Sequence, residues 1–227
     1  MQGTVVRASP ELATAFRGLH PVAVASLASN MSRRGFGRGT SLFHAGDRAS
    51  HIFVIETGSV KVFSVTSDGS ESVVAILGPR ELAGELHGTI QTTDALALER
   101  GAALAIPVGH VRQCLEEAGA THLIVDLLAE RLRRTTLTLH GVICGDSRQR
   151  VAARLCDLAD HQGRQTSTGA TRLGVRLTQE DLGRMTGSSR ETVNKVLALF
   201  SQKGWIEAKN GRYAITDEIA LRELAGI

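Results

Sequence analysis

Apolar residues near the C-terminal end of the chain follow a helical period. Four of them stand at i, i+3, i+4 and i+7, and these are Val193, Val196, Leu197 and Phe200. The opposite side of the same segment carries hydrogen-bonding side chains, namely Arg190, Glu191, Asn194 and Lys195. One buried stripe and one polar side predict an amphipathic helix that ends near residue 200.

Local signals place a second short helix before this one, with a tight turn between the two. Thr178 stands three residues before Asp181, and Ser188 stands three before Glu191, so each pair has the form of a capping box. Gly187 supplies the turn. The segment therefore predicts a helix-turn-helix, whose second helix enters the DNA major groove. An ordinary helical hairpin with a solvated face is the alternative, but the coincidence of caps, turn and exposed Arg favours DNA reading.

The first half of the chain has a different pattern. Residues 1–35 predict a helical lead-in, with short amphipathic pieces at Pro10–Arg17 and Pro21–Met31. From Thr40, short β-rich runs alternate with Gly and Asp turns: SLF, HIFVIE, SVKVFSV and ESVVAIL. Strands this short at such regular spacing predict a small all-β roll.

After Pro107 the pattern becomes helical, and one apolar seam has a heptad spacing. Its members are Val125, Leu128, Leu132, Thr135, Leu139 and Val142. About two and a half heptads can supply a dimer contact that other surfaces support. The alternative is a helix that lies on its own roll, and a second apolar face suits that contact: Leu123, Leu127 and Leu137. Two apolar faces on one helix favour a homodimer.

Gly145–Asp146 breaks this pattern and predicts a hinge, after which Arg148–His161 reads as an amphipathic helix. The stretch GRQTSTGATRLG predicts a loop or a short hairpin. Two strands around Asn210–Gly211 predict a second hairpin, which completes a winged helix-turn-helix. Lys209 and Arg212 flank this turn, where they can reach phosphates or simply be solvated.

These elements predict an α+β fold with three parts. Residues 1–118 form an N-terminal, jelly-roll-like β-roll sensor domain, 119–145 a long dimerisation helix and hinge, and 146–227 a C-terminal winged helix-turn-helix domain.

Composition agrees with a globular chain, since 42% of residues are hydrophobic and 22% are charged. From Ser147 onward there are 13 Lys and Arg against 9 Asp and Glu, a net charge of +4, whereas residues 1–146 carry −1. The basic excess thus lies in the half that holds the helix-turn-helix. No apolar run reaches 18 residues and the N-terminal residues lack a signal-peptide core, so we expect a cytoplasmic protein without membrane contact.

The chain offers little for catalysis or metal binding. Its three cysteines, Cys114, Cys144 and Cys156, form no CxxC pair and are expected to be buried thiols. No nucleophile–base pair or Walker loop is present, so we expect no enzyme. A nucleotide hydrolase and a nucleotide-binding subunit of a larger assembly are the rival classes, and DNA binding differs from hydrolysis in its steep salt dependence.

Two stretches resemble the CRP/FNR family of bacterial transcription regulators. GSSRETVNKVL followed by KGWIEAKNGRYAI resembles its DNA-binding domain, and FHAGDRASHIFVIETGSVKVFSVTSDGSESVVAILGP resembles its cyclic-nucleotide-binding roll, with turn glycines at Gly46, Gly58 and Gly78. The resemblance implies a homodimer that binds double-stranded DNA at a palindrome with TGTGA-like half-sites and acts with RNA polymerase. The candidate DNA contacts are Thr178, Gln179, Ser189, Arg190, Glu191, Thr192, Asn194, Lys195, Lys209 and Arg212.

The sensor matches the family only in part. Gly84, Glu85 and Leu86 match the Gly-Glu-Leu that holds the ribose of a cyclic nucleotide. The Arg-Ser that holds the phosphate is replaced within Thr92–Ala95, and the nearest cations are Arg80 and Arg100. We therefore expect that ordinary cAMP binding is lost, the alternative being cAMP or another nucleotide at an altered phosphate site.

Three further residues bear on the effector. Thr135 and Thr136 stand where the family contacts adenine from the dimer helix, and each can equally bond its own i−4 carbonyl. His87 resembles the iron ligand of the haem-based, CO-sensing members, but their second ligand, an N-terminal proline, is missing. A haem-based gas sensor is thus the less favoured alternative, and we predict no metal.

Overall fold

The computed structural model describes residues 9–87, 89–120, 122–123, 125–126, 128–129, 132–133, 136 and 145–227. The chain divides into two compact units, Met1–Ser64 with Ala75–Ala129, and Val65–Val74 with Glu130–Ile227. The predicted α+β class, with an N-terminal β-roll and a C-terminal helix-turn-helix, is confirmed. The three domain boundaries proposed above remain predictions.

Eight strands build the roll: β1 (Ser32–Phe36), β2 (Ser41–Phe43), β3 (His51–Thr57), β4 (Val60–Val65), β5 (Glu71–Leu77), β6 (Leu82–Ala83), β7 (Asp94–Ala97) and β8 (Gly101–Pro107). They form two four-stranded sheets with the strand orders β1-β8-β3-β6 and β2-β7-β4-β5. Apolar side chains from both sheets share one buried core, in which the rings of Phe43 and Phe53 stack with centroids 5.9 Å apart. Gly46 and Gly58 turn the chain with φ of 89° and 80°, while near Gly78 it is Arg80 that takes a positive φ.

Three short helices cover one side of the roll: α1 (Pro10–Ala15), α2 (Pro21–Ser29) and α3 (Val108–Glu117). Leu12, Leu27 and Leu115 from these helices share a second core with roll residues such as Leu104. The predicted helical lead-in is wrong at its end, because β1 begins at Ser32 and pairs antiparallel with β8. Four of the five β1 residues are exposed, so the strand carries no alternating pattern that the sequence could reveal.

The C-terminal unit contains the remaining elements: α4 (Ser147–Gln162), β9 (Gly163–Gln165), β10 (Thr171–Leu173), α5 (Gln179–Thr186), α6 (Arg190–Gln202), β11 (Ile206–Lys209), β12 (Arg212–Ile215) and α7 (Glu218–Ala225). Asp146 and Gln149 form a capping box that starts α4. The stretch GRQTSTGATRLG, for which the sequence allowed either a loop or a short hairpin, forms the hairpin β9–β10. It joins the wing in one sheet of order β11-β12-β10-β9. That single sheet ties the wing to the helices that precede it.

The predicted dimerisation helix is only partly covered by the described residues, which are helical between 122 and 136. Leu123 packs against the second core of the roll. The seam residues Val125, Leu128 and Leu132 are 61%, 49% and 67% exposed. The other seam and flanking residues named above lie outside the described residues: Thr135, Leu139, Val142, Leu127 and Leu137. None of the described helices combines the length and apolarity needed to cross a membrane.

Candidate nucleic-acid interface

The first helix of the helix-turn-helix starts at the predicted cap. The hydroxyl of Thr178 accepts a hydrogen bond from the backbone N–H of Asp181 at 3.0 Å, and the Asp181 carboxylate accepts from the Thr178 N–H at 3.2 Å. The Thr178 hydroxyl also donates to the same carboxylate at 2.6 Å. This reciprocal box confirms the predicted start of α5 and occupies both polar side chains.

The turn between α5 and α6 is made as predicted at Gly187, whose φ of 59° is left-handed. The predicted second capping box at Ser188 and Glu191 is wrong. The N-cap is Ser189, whose hydroxyl oxygen accepts from the Thr192 N–H at 3.1 Å. Ser188 remains in the turn, because its backbone N–H donates to the carbonyl of Gly183 at 2.9 Å.

Packing fixes the rotation of α6 about its axis. The predicted stripe is confirmed, since all four of its residues are buried: Val193, Val196, Leu197 and Phe200. Phe200 also meets Trp205 in the following loop, with ring centroids 5.6 Å apart. The helix thus has one rotational setting, and that setting decides which side chains face solvent.

The solvent side of α6 carries the candidate base-reading residues, and all four are exposed: Arg190, Glu191, Asn194 and Lys195. Within the described residues, these side chains engage in no hydrogen bond or ion pair. A guanidinium fork matches O6 and N7 of guanine, and a carboxylate accepts from N4 of cytosine. The exposed row therefore has the donors and acceptors that base edges require.

The other candidate contacts of this segment are held by the caps or are partly covered. The hydroxyls of Ser189 and Thr192 lie 3.0 Å apart and bond each other. Gln179, the first residue of α5, is half-buried. These residues can meet a phosphate at the two helix N-termini, but their roles as DNA contacts remain predictions.

The wing forms as the sequence predicts. Strands β11 and β12 pair with Lys209 opposite Arg212, and Asn210 and Gly211 between them have φ of 51° and 74°. The Gly211 carbonyl accepts from the Leu177 N–H at 2.8 Å, so the wing tip is tied to the residue before the α5 cap. Lys209 and Arg212 are both exposed beside this tip, in the same compact unit as the recognition helix.

Burial raises the pKa of two side chains in this unit, Tyr213 and Cys156. Burial, and then the negative charge of Asp181, raise the pKa of the Tyr213 hydroxyl. Burial raises the pKa of the Cys156 thiol to about 11. Cys114 and Cys156 are buried free thiols, as expected, whereas Cys144 lies outside the described residues.

The candidate ligand residues of the roll form a bonded group of their own. A carboxylate oxygen of Glu85 accepts from the Thr92 hydroxyl at 2.7 Å, and the Glu85 N–H donates to the side chain of Gln91 at 3.1 Å. Gly84 has φ of 108° and packs closely on the backbone of His51, where an added Cβ would lie 3.0 Å from its carbonyl oxygen. The carboxylate of Glu85, the candidate ribose contact, is therefore already engaged by the neighbouring Thr92 hydroxyl.

Neighbouring groups complete this arrangement. Asp94 pairs with His44, Oδ1 to Nδ1 at 3.0 Å. The carbonyl of Leu86 accepts two bonds from the Arg112 guanidinium, at 2.9 and 2.6 Å. No local sequence pattern indicates Arg112 or His44, because the residues that they bond lie 26 and 50 positions away.

The remaining effector candidates are less engaged with the roll. Thr136 is exposed and its hydroxyl donates to the Leu132 carbonyl at 3.0 Å, which is the local bond that the sequence left open as the alternative. Thr135 lies outside the described residues. His87 is exposed, and the described part of the chain holds no group of three or more His, Cys, Asp or Glu residues that could hold a metal. An exposed His with no second ligand beside it among the described residues is a poor fit to a haem site.

Both halves of the chain match family models. Residues 149–224 match the Crp-like helix-turn-helix domain, and residues 33–118 match the cyclic nucleotide-binding domain. These two matches cover the winged unit and the strands of the roll.

Whole-chain comparisons agree with these matches. Over 214 residues the chain is 33% identical to the CRP-like cAMP-activated global transcriptional regulator of Mycobacterium tuberculosis, which covers 92% of this chain and 95% of the relative. It is 30% identical over 223 residues to the Cyclic AMP receptor protein of Thermus thermophilus, with the same two coverages. The solved structure of TTHB099, a CRP-family transcriptional regulator from Thermus thermophilus, superposes with a TM-score of 0.68 at 27% identity and covers 86% of this chain and 97% of that one.

Proposed function

The chain belongs to the CRP/FNR family of DNA-binding transcription regulators, and from this we propose that it binds a palindromic DNA site as a homodimer. Its relatives are transcription regulators, and we propose no catalytic activity for it. RNA polymerase in the cytoplasm is the partner that we propose for the DNA-bound form.

The observation that carries the proposal is the exposed, unpaired row on α6. Arg190 and Glu191 lie in the first turn of a helix whose opposite face is wholly buried, so the helix can enter a groove only with this row forward. We propose that Arg190 reads a guanine and Glu191 a cytosine of a TGTGA-like half-site. Lys195 is a flexible point charge and should discriminate less sharply.

Dimerisation is supported by the described part of the seam. Val125, Leu128 and Leu132 lie on one face of a helix at spacings of three and four, and each is about half or more exposed in the single chain. A second copy would remove this apolar surface from water. A two-fold dimer presents two recognition helices about one DNA turn apart, which matches a palindrome.

Salt dependence tests the DNA-binding proposal directly. Fluorescence anisotropy of the full chain with a palindromic TGTGA duplex should show affinity that falls steeply between about 50 and 200 mM salt, because counterions are released. A duplex of equal length with scrambled half-sites is the control and should bind more weakly at every salt concentration. Equal affinity for the two duplexes would refute sequence-specific binding.

For the sensor, we propose that cAMP binds weakly or not at all. Thr93 and Asp94 stand where the phosphate-binding Arg-Ser pair is expected, and the Glu85 carboxylate is engaged by Thr92. A cyclic phosphate would meet hydroxyls and a negative charge instead of an Arg fork. The two relatives named above carry cAMP in their names, so the opposite outcome has support from similarity.

Calorimetry decides between these outcomes. Titration of cAMP into the wild-type chain should give a Kd well above ~1 μM or no heat. The double variant Thr93→Arg with Asp94→Ser restores the expected Arg-Ser pair, removes the Asp94 carboxylate and should bind cAMP more tightly. A submicromolar wild-type Kd would show that another cation serves the phosphate, and Arg80→Ala and Arg100→Ala would then locate it.

A further inference from the structure

The guanidinium of Arg150, which lies outside the helix-turn-helix, bonds to the turn around Gly187. Arg150 is a half-buried residue of α4, and its Nε donates to the carbonyl oxygen of Thr186 at 2.7 Å. Its Nη2 donates to the hydroxyl of Ser188 at 3.2 Å, and its Nη1 donates to the carbonyl of Gly145 at 2.6 Å. Two of the three acceptors therefore flank Gly187, the residue that turns the chain into the recognition helix.

The two bonds at the turn serve acceptors that the helices leave without an intrahelical donor, although the Ser188 hydroxyl also donates to the Thr186 carbonyl at 3.4 Å. Thr186 is the last residue of α5, so its carbonyl has no intrahelical donor. The Ser188 side chain is not used as a cap, because Ser189 takes that role. A planar fork with fixed donor directions can hold both groups in one geometry, which a flexible ammonium cannot.

The opposite side of the turn is already closed by close packing. The Ser188 N–H bonds the Gly183 carbonyl at 2.9 Å, and a Cβ added at Gly183 would lie 2.6 Å from the Ser188 carbonyl oxygen. The turn thus rests on α5 from one side and is held by Arg150 from the other.

We propose that Arg150 is a positioning residue for base readout, which fixes the entry of α6 so that Arg190 and Glu191 meet the base edges. This inference rests on the proposed DNA-binding function. Direct readout needs side chains held within about 0.5 Å of the productive geometry, and a loosened turn would lose that alignment while leaving phosphate contacts intact. The bond to Gly145 gives the start of α4 and the turn a common anchor.

Arg150→Gln and Arg148→Gln form a matched pair of variants. Each removes one positive charge from the first turn of α4, but the Arg148 guanidinium bonds the neighbouring Asp146, at 3.0 and 2.7 Å. Arg150→Gln should weaken binding to the palindrome about ten-fold, with binding to scrambled DNA and the salt slope unchanged. Arg148→Gln should leave the ratio of specific to non-specific affinity as in wild type. Arg150→Lys, which keeps the charge without the fork, should be intermediate.

Ser188→Ala provides a second test that leaves α4 untouched. It removes one acceptor from the same guanidinium and should lower the specificity ratio about two- to three-fold, even if Arg150→Gln folds poorly. Equal losses on both duplexes with a shallower salt slope would overturn the inference, since Arg150 would then contact phosphate itself. Lower thermal stability with unchanged specificity would also overturn it. Failure of the wild-type chain to prefer the palindrome would instead refute the proposed function and this inference with it.

Discussion

Among single residues, Arg190 and Glu191 have the chemistry to choose a DNA sequence. Their side chains are exposed in the first turn of α6, where the buried stripe below leaves them no other direction. An Arg fork forms two bonds to guanine in one plane, whereas the Lys195 ammonium forms one bond without a fixed direction. Base discrimination should therefore be unequal along the helix.

Replacing Arg190 by alanine tests this unequal discrimination. It should cost about 1–3 kcal/mol on the cognate palindrome and relax preference at one G·C pair, because a bidentate contact is lost. Lys195→Ala should cost less. Selections on randomised half-sites with each variant measure both effects.

Lys209→Ala is the control for that prediction. Its side chain stands beside the wing tip and should contact only phosphate, so all sequences should weaken alike and the salt slope should fall by about one. An Arg190→Ala variant with wild-type base preference would mean that α6 does not read the groove.

At the level of secondary-structure elements, the helix-turn-helix is held by backbone contacts at unusually close range. Gly183 lies inside α5, yet its backbone faces the Ser188 carbonyl so closely that no side chain fits. A helical Gly normally costs stability relative to Ala. Here the close approach of two chain segments reverses that preference.

Gly183→Ala should therefore lower the free energy of unfolding of the C-terminal unit by about 1–3 kcal/mol, through overpacking. Gly109→Ala in α3 is the matched control, since an added Cβ there meets no atom within 4 Å, and stability should be unchanged or raised by up to ~1 kcal/mol. Urea unfolding followed by circular dichroism measures both, and Trp205 fluorescence reports the C-terminal unit because the chain has one Trp. A stabilised Gly183→Ala variant would contradict the close packing of the turn.

For the whole molecule, the proposed homodimer determines how the chain meets a palindrome. The basic excess lies after residue 146, while the apolar seam lies before it, so the proposed DNA contact and the proposed dimer contact use different parts of the chain. In the proposed dimer, tight binding to the palindrome needs both the half-site contacts and the seam, because a monomer would bind only half of the palindrome. Dimer stability should consequently set the apparent affinity for DNA.

Leu128→Asp together with Leu132→Asp should give monomers that no longer bind the palindrome tightly. The two carboxylates would be buried without partners in the dimer, at a cost of several kcal/mol. Val22→Asp is the control, because Val22 is 71% exposed on α2, off the seam, and its replacement should leave the dimer intact. Sedimentation equilibrium measures the mass, and an intact double-variant dimer would place the interface elsewhere.

Local chemistry along the sequence determined the elements that make the site. The Thr178–Asp181 box, the Gly187 turn, the stripe of α6 and the Asn210–Gly211 hairpin all depend on residues a few positions apart, and each forms as predicted. Motif resemblance added the family, which the comparisons confirm. Short-range interactions can be predicted from the sequence, because both partners lie within a few positions of each other along the chain.

Tertiary structure alone decided the features that depend on distant partners. Ser189 caps α6 instead of Ser188 because Gly183 draws the Ser188 N–H back onto α5. Strand β1 exists because β8 supplies its hydrogen bonds, although its own side chains are exposed. Arg150 meets Thr186 across 36 residues, a contact that no local pattern announces. Such pairs form only after the core has brought their elements together. For that reason the sequence alone indicates the candidate recognition helix, but not the contacts that hold it in place.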